Sequence, residues 1–379
     1  MNETQHIISR GIAIRSMPDA GRASCCFPGV CVLPGGRWLC VCRAAPTKKG
    51  MRGQHVLLTW SDDEGQTWRD PLAPFIPPAI EGRPGLFRSA QLTALGGKRV
   101  VAVIYWVDAS DLELPFFNEK TEGLLDSRIF LSSSEDGGET WSLPVLADTA
   151  PFHVPTPITG PILILPNGEW ALQFETNKTY YDPSVWHHAS ILMFSNDRGR
   201  NWPRHTRVTF DPQARMFYWD QRPGVLSDGR ILDLFWTFDR EKAVYLNIHA
   251  RESLDQGHSW SELWDTGVPG QPAPPVSLSD GRIAMVYVDR TGAPVIKLRT
   301  SSDWGRTWAP ETESNIYDSA MELQEGKKRT MQDAWSEMGA YSVGLPATAL
   351  IPGGDLLVVY YAGLETDRTN VEWVRMHVG

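Results

Sequence analysis

Two short runs hold the chain's densest mixture of carboxylates, guanidinium groups and aromatic rings. They are Phe217-Tyr218-Trp219-Asp220-Gln221-Arg222 and Phe235-Trp236-Thr237-Phe238-Asp239-Arg240. Asp and Glu suit proton transfer or nucleophilic attack at a glycosidic carbon. Arg presents a planar fork that fits a carboxylate, and aromatic faces suit sugar rings. Asp220, Glu175 and Asp239 are therefore candidate catalytic carboxylates. Trp219, Gln221, Arg222 and Arg240 are candidate substrate-binding residues, joined from other parts of the chain by Arg43, Arg88, His153, Gln271 and Arg290. Taken singly, Asp220–Arg222 and Asp239–Arg240 read equally well as ion pairs at loop corners; their density favours a site.

Residues so far apart in sequence need a scaffold that gathers them, and internal repetition supplies it. The pattern Ser-x-Asp-x-Gly-x-Thr-Trp occurs at Ser61–Trp68, Ser134–Trp141, Ser195–Trp202, Ser253–Trp260 and Ser301–Trp308, with Asn201 and Ser259 in place of Thr in the third and fourth copies. Repeats 48 to 73 residues apart indicate a solenoid, a propeller or an array. The Asp side chain accepts from backbone amides two or three residues on and closes a turn. Gly then allows positive φ, and Trp anchors the returning strand. These boxes read as structural rather than catalytic.

A second unit alternates with the boxes: apolar strand, glycine turn, apolar strand. It centres on Gly35-Gly36, Gly97, Gly168, Gly229, Gly281 and Gly354, and Asn-Gly or Asp-Gly is a strong hairpin signal. The last unit, ending in Val371–Met376, lacks its fourth strand, whereas Ile7–Ile14 is an orphan strand at the start. The pattern predicts an all-β, six-bladed β-propeller of four-stranded antiparallel blades, residues 1–379 forming one domain, with the N-terminal strand closing the last blade. Glu322 to Met338 is expected to hold a short helix. The insertions at about 108–126 and 309–340 are expected to sit on one face and shape a pocket.

Composition narrows the partners. Net charge is −9, and Lys327-Lys328-Arg329 is the only basic cluster, which argues against nucleic acid. No stretch reaches membrane-span length and the first twenty residues lack a signal-peptide core, so the expectation is cytoplasmic, or secreted with its signal removed. Oligomeric state is not legible. Cys25, Cys26, Cys31, Cys40 and Cys42 fall in the first hairpin unit, where Cys31 and Cys40 are placed to face each other; buried free thiols are the expectation. No pattern for a metal, nucleotide, flavin or other cofactor is present.

The five boxes and their alternation with hairpins resemble the sialidase (neuraminidase) superfamily of Asp-box, or BNR-repeat, proteins. That resemblance implies a pocket in which three Arg hold the substrate carboxylate, an Asp in the first blade protonates, and a Tyr paired with Glu is the nucleophile. Ala340-Tyr341-Ser342 is similar to the Tyr-Ser of the nucleophile, which makes Tyr341 a fourth candidate catalytic residue, though Gly354 follows at 13 residues, longer than the family pattern. Two elements differ. Cys25-Cys26-Phe27-Pro28 places Cys26 where the first Arg is expected, and Gln54-His55-Val56-Leu57 carries no Asp. Arg88 offers a guanidinium from a neighbouring blade. The leading expectation is a non-standard member, a sialidase-like, exo-acting glycoside hydrolase for a terminal sugar, acidic sugars included. Two alternatives stay open: a non-catalytic glycan-binding propeller, and a uronate lyase drawing on His153, His187, His188, Tyr180 and Tyr181.

Overall fold

Each hairpin turn closes in the same way. The amides of Leu33, Leu95, Leu165, Leu226, Leu278 and Ile351 donate to the carbonyls of Arg37, Arg99, Glu169, Arg230, Arg282 and Asp355 at 2.7–2.9 Å. Near the end of each turn sits a glycine with positive φ, as at Gly168 (85°) and Gly229 (89°), where a Cβ would be strained. The computed structural model describes residues 5–319 and 330–379. The expected helix is found as Met331–Ala340, displaced toward the C-terminus; residues 322–329 of that expectation, with Lys327-Lys328-Arg329, lie outside the described residues.

The five boxes share one hydrogen-bond pattern. In the second copy Ser134 Oγ donates to Asp136 Oδ1 (2.8 Å) and accepts from the Gly138 amide (2.8 Å), while the Thr140 amide donates to Asp136 Oδ1 (3.0 Å). The Asp thus reaches amides three and four residues on, one further than the sequence suggested. Asn201 and Ser259 replace the Thr hydroxyl without loss, donating to Asp197 and Asp255 through Nδ2 and Oγ. Donation from Thr140 holds the Asp136 carboxyl down at about 2. Because this folded-state value lies below the unfolded one, the box stabilises the protein above pH 4 or so and loses that contribution as pH falls toward 2. The box tryptophans anchor different packing clusters. Trp308, 4% exposed, packs with Leu232, Leu234, Ile283 and Met285, and its indole N–H donates to Gly305 at 3.0 Å. Trp308→Ala is expected to cost about 3–5 kcal/mol, the usual range for a buried aromatic, measured as a shift in denaturant midpoint.

These turns join strands into a propeller of antiparallel sheets. Beside a two-stranded ribbon of Phe117–Asn118 and Gly123–Leu124, four sheets of four or five strands stand separately. Their leading strands are Gly85–Ala94, Leu163–Ile164, Met216–Val225 and Gln271–Pro272. A seven-stranded sheet takes both ends of the chain: Val343–Leu350, Leu356–Glu365, Arg368–Val378 and Gln5–Ile14 on one side, Ser24–Val32, Trp38–Ala45 and His55–Ser61 on the other. Gln5–Ile14 pairs antiparallel with Arg368–Val378 from Gln5↔Val378 to Ile14↔Val371. The two sides meet at a single parallel pair, Ser24↔Thr369. Apolar residues fill the spaces between sheets, as where Leu39, Val41 and Leu58 pack on Leu92, Ala102 and Ile104.

All five cysteines are buried free thiols. Cys31 does not face Cys40; the register pairs Cys31 with Leu39 and Val30 with Cys40. The two thiols therefore project into different clusters on opposite faces of the hairpin. No described helix is long and apolar enough to cross a membrane.

Candidate active site

The leading strands are irregular where they converge. Register slips mark β-bulges between Cys26 and Gly29, Phe87 and Ser89, Trp219 and Arg222, and Gly344 and Ala347. A bulge re-aims a side chain and is common beside functional sites. Three bulged residues hold left-handed φ: Phe27 (54°), Asp220 (50°) and Leu345 (45°). Such conformations cost on the order of 1–3 kcal/mol in non-glycine residues and persist where surroundings enforce them. Phe27, Arg88, Asp220 and Leu345 all line one cavity of about 390 Å³. The two insertions complete its wall: Phe116 and Phe117 from the first, Trp335 and Met338 from the helix. Phe117 and Trp335 stack at 4.2 Å with planes 9° apart, tying the insertions together.

Asp220 is held from several directions. Its amide donates to Glu175, and its carboxylate accepts from Gln271 Nε2 and lies 3.6 Å from Arg222. Glu175 is backed in turn by His188 Nε2 at 3.3 Å. Gln271 is itself fixed, accepting from Arg290 Nη1 at 2.9 Å. Arg290 donates to the Val343 carbonyl (3.0 Å) and lies over the Tyr341 ring at 4.0 Å. Burial pushes the Tyr341 phenol upward, opposed by Arg290 and by a hydrogen bond with Tyr245. Tyr341 follows the helix as its C-cap.

The cavity is electropositive in an acidic protein. Lys48, Lys49, Arg88, Arg222 and Arg290 line it against Asp220 and Glu119. Arg88 lies over the Phe116 ring at 4.1 Å, and its Nη1 is buried without a hydrogen-bond partner. Burial, aided by Arg43, brings the Arg88 guanidinium down to about 10. An unpaired buried donor in a cationic cavity favours an anionic occupant.

Arg88, Asp220, Arg222, Gln271, Arg290 and Tyr341 are thus brought to one cavity. Glu175 stands behind Asp220 as its partner. The other candidates are placed elsewhere. Asp239 is bonded to Arg215 (2.8 Å) and accepts the Glu241 and Lys242 amides, closing a loop corner. Arg240 pairs with Glu122 at 2.6 Å. Trp219 stacks on Phe238 in an aromatic cluster. Gln221 is fully buried and donates to the Phe174 and Ile191 carbonyls. Arg43, also fully buried, donates to Gln54 and to the Thr47 and Gly50 carbonyls. His153 shares a separate depression with His187, Arg207 and Phe210, and Tyr180 packs against Tyr181 away from these residues. Sequence reasoning missed Lys48, Tyr361 and the aromatic wall; nothing in Thr47-Lys48-Lys49-Gly50 distinguishes it from an exposed turn.

The model of the BNR repeat-like domain matches residues 98–313, more than half of the chain. The chain belongs to the BNR repeat-like family. No curated protein matches it by sequence. Its fold is similar to that of a Dyadobacter fermentans DSM 18053 protein of unknown function, over 100% of both chains (TM-score 0.75, 16% identity). The intramolecular trans-sialidase of Ruminococcus gnavus, solved with oseltamivir carboxylate, superposes over 98% of both chains (TM-score 0.64, 13% identity). The Hadza microbial sialidase Hz136 aligns over 97% of this chain and 68% of its own (TM-score 0.65, 14% identity). At these identities the likeness is one of fold, and this BNR repeat-like chain has the sialidase-type propeller.

Proposed function

We propose that the protein is a glycoside hydrolase that removes a terminal acidic sugar in the 390 Å³ cavity. One arrangement carries the reading: Asp220, on a strained backbone, faces a cavity whose other charged groups are mainly cations, two of which, Arg88 and Arg290, have an unpartnered buried donor. Arg88 and Arg290 hold the sugar's carboxylate, and the aromatic wall takes its ring. The Tyr341 oxygen attacks the anomeric carbon as Asp220 takes the phenol proton, and the leaving alcohol takes a proton from a second group of the site. Water then attacks the anomeric carbon and displaces Tyr341, giving a proton back to the group that protonated the leaving alcohol, while Asp220 returns its own proton to the phenolate. Gln271 couples the two halves of the site, since it touches both Arg290 and Asp220.

The same proposal treats the seven-stranded sheet as two blades joined only at Ser24↔Thr369, which makes six with the four separate sheets. A ring of this kind would direct all its leading strands to one cavity.

A panel of chromogenic glycosides and acidic oligosaccharides, sialosides included, tests the function. Release of an acidic sugar by wild type and its loss in Asp220→Asn is the expected result. Binding of an acidic sugar without release from any substrate would replace the hydrolase with a glycan-binding propeller, and an unsaturated, UV-absorbing product would replace it with a lyase.

A further inference from the structure

The two-step displacement moves two protons. Asp220 accounts for the one on the Tyr341 phenol; the one that reaches the leaving alcohol needs another source. Lys48 lines the same cavity but is itself 5% exposed. Its Nζ meets the Met338 carbonyl (3.0 Å), the Tyr341 carbonyl and the Tyr361 hydroxyl (3.3 Å). Two of these partners only accept, whereas a hydroxyl accepts or donates. An ammonium therefore gives three hydrogen bonds here. A neutral amine gives two to the carbonyls and receives one from Tyr361. The amine can lose and regain a proton with every partner still satisfied. Tyr361 also lines the cavity, so Lys48 and its hydroxyl partner both border the space an occupant would take.

We propose that Lys48 and Tyr361 form a proton relay to the leaving group of the reaction proposed above. As the glycosidic C–O bond breaks, the Tyr361 hydroxyl gives its proton to the departing oxygen and receives one from the Lys48 ammonium. In the second step the attacking water gives a proton to Tyr361, and Tyr361 passes one to the neutral Lys48 amine, which restores the start. Lys48 acts through Tyr361 and is a positioning residue. The charged surroundings fit this exchange. Cys26 and Arg43 from the first hairpin, Arg88 from the next sheet and Arg290 from the strand ending at Asp289 surround the amine. Tyr341 and Tyr361 lie beneath it at 5.8 and 5.1 Å, and Asp367 accepts its backbone amide at 2.6 Å. Burial first, then the three guanidinium groups, bring Lys48 down to about 7, with Cys26 pulling the other way. The donor form is thus present below neutrality and lost as pH rises through it.

The test compares leaving groups within each of Lys48→Arg, Lys48→Met and Tyr361→Phe, so that a loss of folded protein cancels. Whichever acidic sugar wild type releases is presented as its 4-nitrophenyl glycoside, whose phenolate leaves unaided, and as its methyl glycoside, whose alkoxide needs a proton. The expected loss in kcat/KM, which reads only the displacement of the leaving group, is about 10²–10⁴-fold for the methyl glycoside and under about 10-fold for the nitrophenyl one, with the alkaline limb of the methyl glycoside profile gone in Lys48→Arg. Equal losses for both substrates, or an unchanged alkaline limb in Lys48→Arg, overturn the relay. A wild type that hydrolyses no glycoside overturns the hydrolase reading itself and the relay with it, an outcome distinct from an active enzyme indifferent to Lys48.

Discussion

Asp220→Asn is expected to lower kcat by about 10²–10⁴-fold while leaving Tm close to the wild-type value. The two halves of this prediction come from different properties of one residue. Asn keeps the size of Asp and can accept from Gln271 through its amide oxygen, but it cannot take or give a proton. Asn also tolerates left-handed φ better than most residues, so the 50° conformation of Asp220 is not made harder to reach. The amide of residue 220 still donates to Glu175. What the fold loses is a 3.6 Å contact with Arg222, part-exposed and therefore worth little. Asp136→Asn supplies the contrast. It removes a carboxylate that accepts from Ser134, Glu139 and Thr140, so it lowers Tm and leaves kcat unchanged. Steady-state kinetics and thermal unfolding on both variants read the difference. Asp220→Asn losing stability ahead of activity, or Asp136→Asn losing activity in a fully folded protein, would remove Asp220 from the chemistry.

The turns were legible because each is written in residues that few other structures require together. Ser, Asp, Gly and Thr at fixed offsets make a closed set of hydrogen bonds, and the same set appears in every box. The site was legible only in part, for a reason visible in Trp219-Asp220-Gln221-Arg222. Alternate residues of a strand face opposite sides. Asp220 and Arg222 take the cavity side while Trp219 and Gln221 are buried. A period-two division of this run would have separated them. Asp239 and Arg240 were not separable in this way. Their partners, Arg215 and Glu122, lie 24 and 118 residues away, and nothing local announces either pair. Lys48 is the converse case. Its environment is made by Arg88, Arg290, Tyr341 and Tyr361, all contributed by strands and loops distant in sequence, so its meaning exists only in the folded chain.

Arg88→Met is expected to act on binding and on stability in opposite directions. Arg88 reaches the cavity between Phe116 and Phe27. Among the described residues no carboxylate is paired with it, and its Nη1 is buried without a partner. Burial holds its guanidinium down at about 10, so keeping it charged at neutral pH works against the fold. Methionine fills similar length, keeps the contact with both rings and carries no charge to desolvate. The free protein should therefore become more stable by on the order of 1 kcal/mol, since replacing a poorly compensated buried charge with a packed apolar side chain is often stabilising. An acidic sugar loses the donor that its carboxylate would satisfy. Removing one partner of a buried charge pair costs about 2–5 kcal/mol, so Kd for that sugar should rise at least about 30-fold. A neutral sugar of the same shape should bind equally to both proteins. Calorimetric titration and thermal unfolding of the free protein make the measurement together. A raised Tm with weakened binding of the acidic sugar alone would mark Arg88 as a group kept for its ligand at the expense of the fold. A lowered Tm with unchanged binding would make it a structural arginine and leave the anion to Arg290 and its neighbours.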